Sequence, residues 1–141
     1  MIRAVLDCNI FVSALIQPRG PSARIVEILS QKGFQCILSD AILEEARKVL
    51  RYPRLKHRIA LSRSEQESFF SALSILALWV EDVKAAKPIV AQDPSDDIYL
   101  QAAIQGDAGF VVSGDKHLLK LKEHQGITIL PPRLFLAILT R

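Results

Sequence analysis

Short, nearly unbroken apolar runs recur along this chain, and most are followed by a segment with apolar residues at helical spacing. The runs fall at residues 2–6, 34–38, 110–113 and 127–130. A strand that is apolar at consecutive positions buries both its faces, as strands do in a parallel sheet covered on both sides. Parallel neighbours cannot be joined by a tight turn, so the intervening helices become crossovers. The pattern predicts the α/β class: a three-layer α/β/α sandwich around a central, mostly parallel sheet.

The segments between the runs carry their own signals. Ser22 can cap a helix to about Gln31, with Ile25, Ile28 and Leu29 on one face, and Lys32-Gly33 ends it. Ser39 can cap the next, which bears Ile42, Leu43, Ala46, Val49 and Leu50 on a helical period until Pro53 stops it. A short basic helix is expected over 55–60. A capping box starts another helix at Ser62 with Glu65, or in a second register at Ser64 with Glu67, and this helix runs to about Leu76. Residues 78–83 and 88–90 read as extended, and Asp93-Pro94-Ser95 as a turn. A helix follows over 96–105, closed by Gly106. A short helix holds Leu118, Leu119 and Leu121, and Pro131-Pro132 opens a terminal helix to Ile138.

The 141 residues fit one domain, 1–141, with no repeat, linker or low-complexity stretch. With 50% hydrophobic residues the chain can build a packed core. No apolar run is long enough to span a membrane, and no signal peptide is visible, so a cytoplasmic, soluble protein is expected. Cys8 and Cys36 lack metal-ligand spacing and read as small hydrophobes. His57, His117 and His124 are scattered and read as surface residues, and no Ser-His-Asp set or Gly-rich phosphate loop is present.

Asp7 does not fit a purely structural account. Apolar residues flank it on both sides in "IRAVLDCNIFVSAL", and a buried charge is costly unless paired, hydrogen-bonded or bound to metal. In an open parallel sheet, functional groups gather beyond the carboxyl ends of the strands. Asp7 lies just after the first strand and Asp115 just after the run at 110–113. Asp93, Asp96 and Asp97 open one helix, and Glu44 and Glu45 sit in the first turn of the helix after the second strand. Each acid alone has an ordinary explanation as a cap, a turn residue or helix surface. Together they place acid at one edge of the sheet. Two carboxylates about 5 Å apart repel by roughly 3 kcal/mol at an effective dielectric near 20. A divalent cation removes that repulsion, and oxygen donors without His or Cys clusters favour Mg²⁺ or Mn²⁺ over Zn²⁺.

The stretches "VLDCNIFVSAL", "LSDAILEEARKVL", "DPSDDIYLQAA" and "FVVSGDKHLLKL" resemble, in order and spacing, the four motifs of the PIN domain in its small single-domain prokaryotic branch. That branch includes toxin components of toxin–antitoxin pairs. The resemblance implies a PIN-like, Rossmann-like sandwich and a catalytic set of four acids, matched here by Asp7, Glu45, Asp97 and Asp115. Glu44 is the fallback for Glu45. Asp96 would be a further metal ligand, and Asn9 and Ser113 match polar positions beside the site. Cys8 stands where a small or apolar residue is more usual. The implied activity is a Mg²⁺- or Mn²⁺-dependent endoribonuclease, with an antitoxin protein as partner and a homodimer as its assembly.

The charge pattern suits an RNA substrate. No acid falls between Ala46 and Ser64, yet Arg47, Lys48, Arg51, Arg54, Lys56, Arg58 and Arg63 all do. Such a run can hold a polyanion by its phosphates, though a solvated helix and loop surface explains it equally well. Tyr52 and His57 could stack on an unpaired base, although packing accounts for them more simply. The competing reading is a non-catalytic PIN-like module that binds RNA or protein. A haloacid-dehalogenase-type phosphatase would want an Asp where Asn9 stands, and a receiver domain would want its phosphoacceptor Asp on the third strand. Neither matches.

Overall fold

The computed structural model describes residues 1–83 and 96–141. Among these residues the strands are β1 (Arg3–Leu6), β2 (Gln35–Leu38), β3 (Leu78–Trp79), β4 (Phe110–Val112), β5 (Glu123–His124) and β6 (Ile127–Leu130). The α-helices are α1 (Cys8–Ile16), α2 (Pro21–Ser30), α3 (Asp40–Leu50), α4 (Arg63–Leu76), α5 (Asp97–Gln105), α6 (Lys116–Leu121) and α7 (Pro132–Leu139). The strands form one sheet in the order β3-β2-β1-β4-β6-β5, with every neighbouring pair parallel except β5 and β6. Helices flank this sheet in the expected three-layer α/β/α arrangement.

The strand order explains where a site can form. From β1 the chain moves outward to β2 and β3, then returns to place β4 on β1's other side. Connections leave β1 in one direction and β4 in the other, which opens a crevice at the carboxyl ends of that pair. Register fixes the crevice: Leu6 pairs with Val112, so Asp7 and Ser113 are the next residues on adjacent strands. The Asp7 amide still donates to the Val112 carbonyl at 2.9 Å, and the Ser113 amide to that of Leu130 at 3.0 Å.

The core is the apolar content of β1, β2 and β4 with the inner faces of the helices. Ala4, Val5, Leu6, Cys36, Ile37, Val111 and Val112 are fully enclosed. Helix α1 packs on α2 and α3, and α2 packs on α4 and α7. Phe135 of α7 meets Phe34 edge-on with ring centroids 5.2 Å apart, and Phe11 of α1 meets Phe69 of α4 at 6.3 Å. Helix α5 lies against β1, β2 and β4. It ends at Gly106, where there is no room for a larger residue: a Cβ there would sit 2.8 Å from two side-chain carbons of Ile37.

Local structure departs from expectation at identifiable points. Helix α1 begins directly after Asp7, where the apolar run 10–12 gave no clear period. Helix α2 starts two residues early, with Gly20 as N-cap and Pro21 as its first residue, while Ser22 is buried. Proline at that position has no amide hydrogen to lose. Ser39 caps α3 by accepting from the Ile42 amide at 3.4 Å. Asp82 adds a second cap from after β3, accepting from the Ala41 amide at 3.1 Å. Of the two registers for α4, Ser62 with Glu65 forms the capping box. The short basic helix expected over 55–60 is instead one 3₁₀ turn at Pro53–Leu55, set by Pro53 in its first position. The extended stretch from 78 shortens to Leu78–Trp79, and α5 starts at Asp97 with Asp96 as its N-cap. The extended reading at 88–90 and the turn at Asp93–Ser95 lie outside the described residues. No helix among the described residues is long and apolar enough to cross a membrane.

Candidate active site

Asp7 follows β1 and caps α1, so its backbone is held on both sides. It is only 2% exposed. Its Oδ1 accepts from the Asn9 amide at 3.1 Å, and its Oδ2 from the Ser113 hydroxyl at 2.7 Å. Burial raises the Asp7 carboxyl above its ordinary value. The bonds from Ser113 and Asn9 work against that rise, and the negative charge of Asp115 adds to it. This carboxylate is held in place and penalised for its charge.

Ser113 joins two acids. Fully buried at the end of β4, it donates to Asp7 and accepts from the Asp115 amide at 2.9 Å. Asp115 is the N-cap of α6, and its Oδ1 accepts from the amides of His117 and Leu118 at 2.8 and 3.2 Å. The apolar strand therefore ends in a serine whose single hydroxyl orients both carboxylate-bearing segments. Asn9 contributes through its backbone, and its side chain is exposed.

The third and fourth acids approach on helices. Glu44 and Glu45 lie in the second turn of α3 and not in the expected first, because α3 begins at Asp40. Glu45 is half-buried on the side shared with Ile42, Ala46 and Val49, whereas Glu44 is exposed. The charge of Glu45 is felt at Cys8, next to Asp7. Asp97 is half-buried in the first turn of α5, and the adjacent Asp96 is buried. Ile98 shares an open groove of about 710 Å³ with Glu44, Glu45, Arg47, Lys48 and Arg51, so α5 begins beside α3. Asp93 lies outside the described residues. Among the described residues no three His, Cys, Asp or Glu side chains form a ready-made cation cage.

Sequence reasoning missed Tyr99. Its buried hydroxyl accepts from the Cys8 amide at 3.3 Å, tying α5 to the turn that carries Asp7. Burial, and next the charge of Asp7, push the Tyr99 phenol upward, so it stays protonated. Cys8 is pushed up to about 12, chiefly by burial, with Asp7 and Glu45 adding to the effect. A thiol held so high is not a nucleophile at neutral pH. The signal for Tyr99 was an aromatic with a polar tip on the buried face of the helix that Asp97 opens.

The basic run is exposed at Lys48, Arg51, Arg54, Lys56, Arg58 and Arg63. Arg54 lies over the Tyr52 ring, 5.6 Å from its centroid. Arg47 differs from the rest: it is half-buried, lies over the Phe70 ring and pairs with Glu67 of α4 at 3.2 Å.

A family model described as PIN domain matches residues 3–117. The uncharacterized protein MJ1680 of Methanocaldococcus jannaschii is 25% identical over 122 residues, covering 86% of this chain and 76% of that protein. The crystal structure of PAE2754 from Pyrobaculum aerophilum superposes with a TM-score of 0.63 at 16% identity, covering 99% of this chain and 90% of that one. VapBC2 from Rickettsia felis, bound to a DNA fragment from their promoter, superposes with a TM-score of 0.54 at 16% identity, covering 92% of this chain and 98% of that one.

Proposed function

Since the chain belongs to the PIN domain family, we propose that residues 1–141 form one PIN domain acting as a metal-dependent endoribonuclease, the toxin of a toxin–antitoxin pair. The observation that carries this reading is the Ser113 bridge. It holds Asp7 and Asp115 together at the crevice, although burial and mutual repulsion disfavour the Asp7 charge. A fold that places acids together against that cost is built for a cation.

Asp7, Glu45, Asp97 and Asp115 are the catalytic acids and metal ligands in this reading, with Asp96 a further ligand. Glu45 is preferred to Glu44 for its burial and its field at Cys8. The donors are carboxylate oxygens, which fits Mg²⁺ or Mn²⁺. When bound, such an ion acidifies a water and offsets charge on a phosphodiester. The chain's own contributions are positional. Ser113 fixes the orientation of Asp7 and the start of α6, and the Asn9 amide holds the other Asp7 oxygen. Tyr99 keeps the start of α5 against the Asp7 turn. The exposed cations Lys48, Arg51, Arg54, Lys56 and Arg58 hold RNA phosphates without reading sequence.

The likeness to VapBC2, a pair captured on promoter DNA, supports an antitoxin partner. A homodimer is supported by exposed apolar side chains on two helices, Ile75 of α4 and Leu134 of α7. The cytoplasm is the compartment where such a ribonuclease meets its RNA.

The test is cleavage of a mixed pool of single-stranded and structured RNAs with Mn²⁺, with EDTA and Asp7→Asn controls. Cleavage lost in both controls is the expected result. If the wild-type chain neither cleaves nor binds Mn²⁺, the alternative of a non-catalytic RNA- or protein-binding module replaces it.

A further inference from the structure

Arg47 and Arg51 line two depressions that share them as a common wall. One is the groove that begins at Glu45 and Ile98. The other, about 200 Å³, adds Lys56 from the turn after α3, and Arg63, Gln66 and Glu67 from α4. Helix α3 advances about 1.5 Å per residue, so Arg51 lies about 9 Å along the axis from Glu45. A cationic pocket therefore continues from the acid end of the same helix.

Glu67 intrudes on this pocket. Its Oε2 accepts from Nη2 of Arg47 at 3.2 Å. Phe70 supports the guanidinium, 5.6 Å from the ring centroid. The Arg47 Nε is buried and has no hydrogen-bond partner among the described residues. A guanidinium binds an anion best through two parallel N–H groups, and here the carboxylate takes one. The fork is half-used, and its carrier is already fixed by stacking. A phosphate has the oxygens to take both N–H groups while meeting Arg51, Lys56 and Arg63 around it.

We propose that this pocket is a second phosphate site for an RNA strand whose scissile bond lies at the acidic crevice, with Glu67 as a resident stand-in for that phosphate. RNA binding displaces the Glu67 carboxylate from Arg47, so the pocket is held shut by one weak ion pair until a strand arrives. The choice of RNA rests on the ribonuclease reading, and the pocket's continuity with the Glu45 groove favours it over an acidic protein segment.

The test is the affinity of a fluorescent single-stranded RNA for the full chain, with EDTA to prevent turnover. Glu67→Gln is expected to tighten binding by about two- to fivefold, the scale of a lost exposed ion pair. That gain should vanish in an Arg47→Gln background. Arg63→Gln should weaken binding and flatten the salt dependence by about 0.7 in log–log slope, one phosphate contact on a single strand. Normal binding with no response to Glu67→Gln, or an undiminished response without Arg47, overturns the stand-in alone. A wild-type chain that binds no RNA overturns both this inference and the ribonuclease reading. A poly-glutamate peptide that competes as well as RNA, with the same response to Glu67→Gln, overturns the nucleic-acid assignment.

Discussion

Replacing Ser113 by alanine tests the bridge most directly. The variant deletes a donor to the buried Asp7 carboxylate and an acceptor for the Asp115 amide, with no change elsewhere in the strand. A hydrogen bond to a charged buried group contributes about 1.5–3 kcal/mol, and one between neutral groups about 0.5–1.5. The Asp7 carboxyl lies above its ordinary 3.8, so the metal-free protein loses stability as pH rises through its folded value. Ser113 restrains that rise, and without it the carboxyl climbs further and more stability is lost. Below the folded value, where the carboxyl is protonated, the lost bonds are neutral and the cost is about 2 kcal/mol. Above the folded value, where it is ionised, the cost grows to about 3 kcal/mol. Urea unfolding on both sides of that value, without divalent metal, reads the two numbers. A cost under about 0.5 kcal/mol, or an equal cost on both sides, refutes the claim that Ser113 supports a charged Asp7.

Glu45→Gln should lower RNA cleavage by at least about tenfold while Glu44→Gln leaves it within about twofold, and equal losses would remove the preference for Glu45. Cys8 and Cys36, both pushed up to about 12, chiefly by burial, should resist iodoacetamide at pH 8 in the native protein and react in urea. Rapid native labelling of either, followed by mass spectrometry, would contradict the burial described. Gly106→Ala should destabilise by about 1–3 kcal/mol, because its Cβ must displace Ile37 from the sheet face. A thermal melt unchanged by that substitution would mean Ile37 has room to move.

The central sheet was readable because both faces of β1, β2, β4 and β6 are covered, which writes consecutive apolar residues into the sequence. Caps were readable where the capping residue is local, as at Ser39 and Ser62. Helix α1 was not, since Ile10, Phe11 and Val12 suit a strand as well as a helix and only tertiary packing decides. Strand β5 was invisible because two polar residues, Glu123 and His124, pair at an edge where no burial is demanded. At the candidate site, Asp7, Asp97 and Asp115 were legible as carboxylates that follow a strand or open a helix. Glu45 was preferred to Glu44 through the PIN resemblance, as the acid that follows "AILE" and precedes Ala46. Tyr99 and the Arg47–Glu67 pair escaped notice for a common reason: each acts through a partner on another element, and no local pattern records such a partner.

The two outermost strands, β3 and β5, are each two residues long. An edge that short offers a foreign strand almost no ladder to extend, and β5 runs against its neighbour, which breaks the parallel register. Among the described residues the sheet thus has a finite width and does not template its own growth. Crowding such chains together, as overexpression does, directs contact toward helix surfaces such as those of Ile75 and Leu134 instead of toward fibrils.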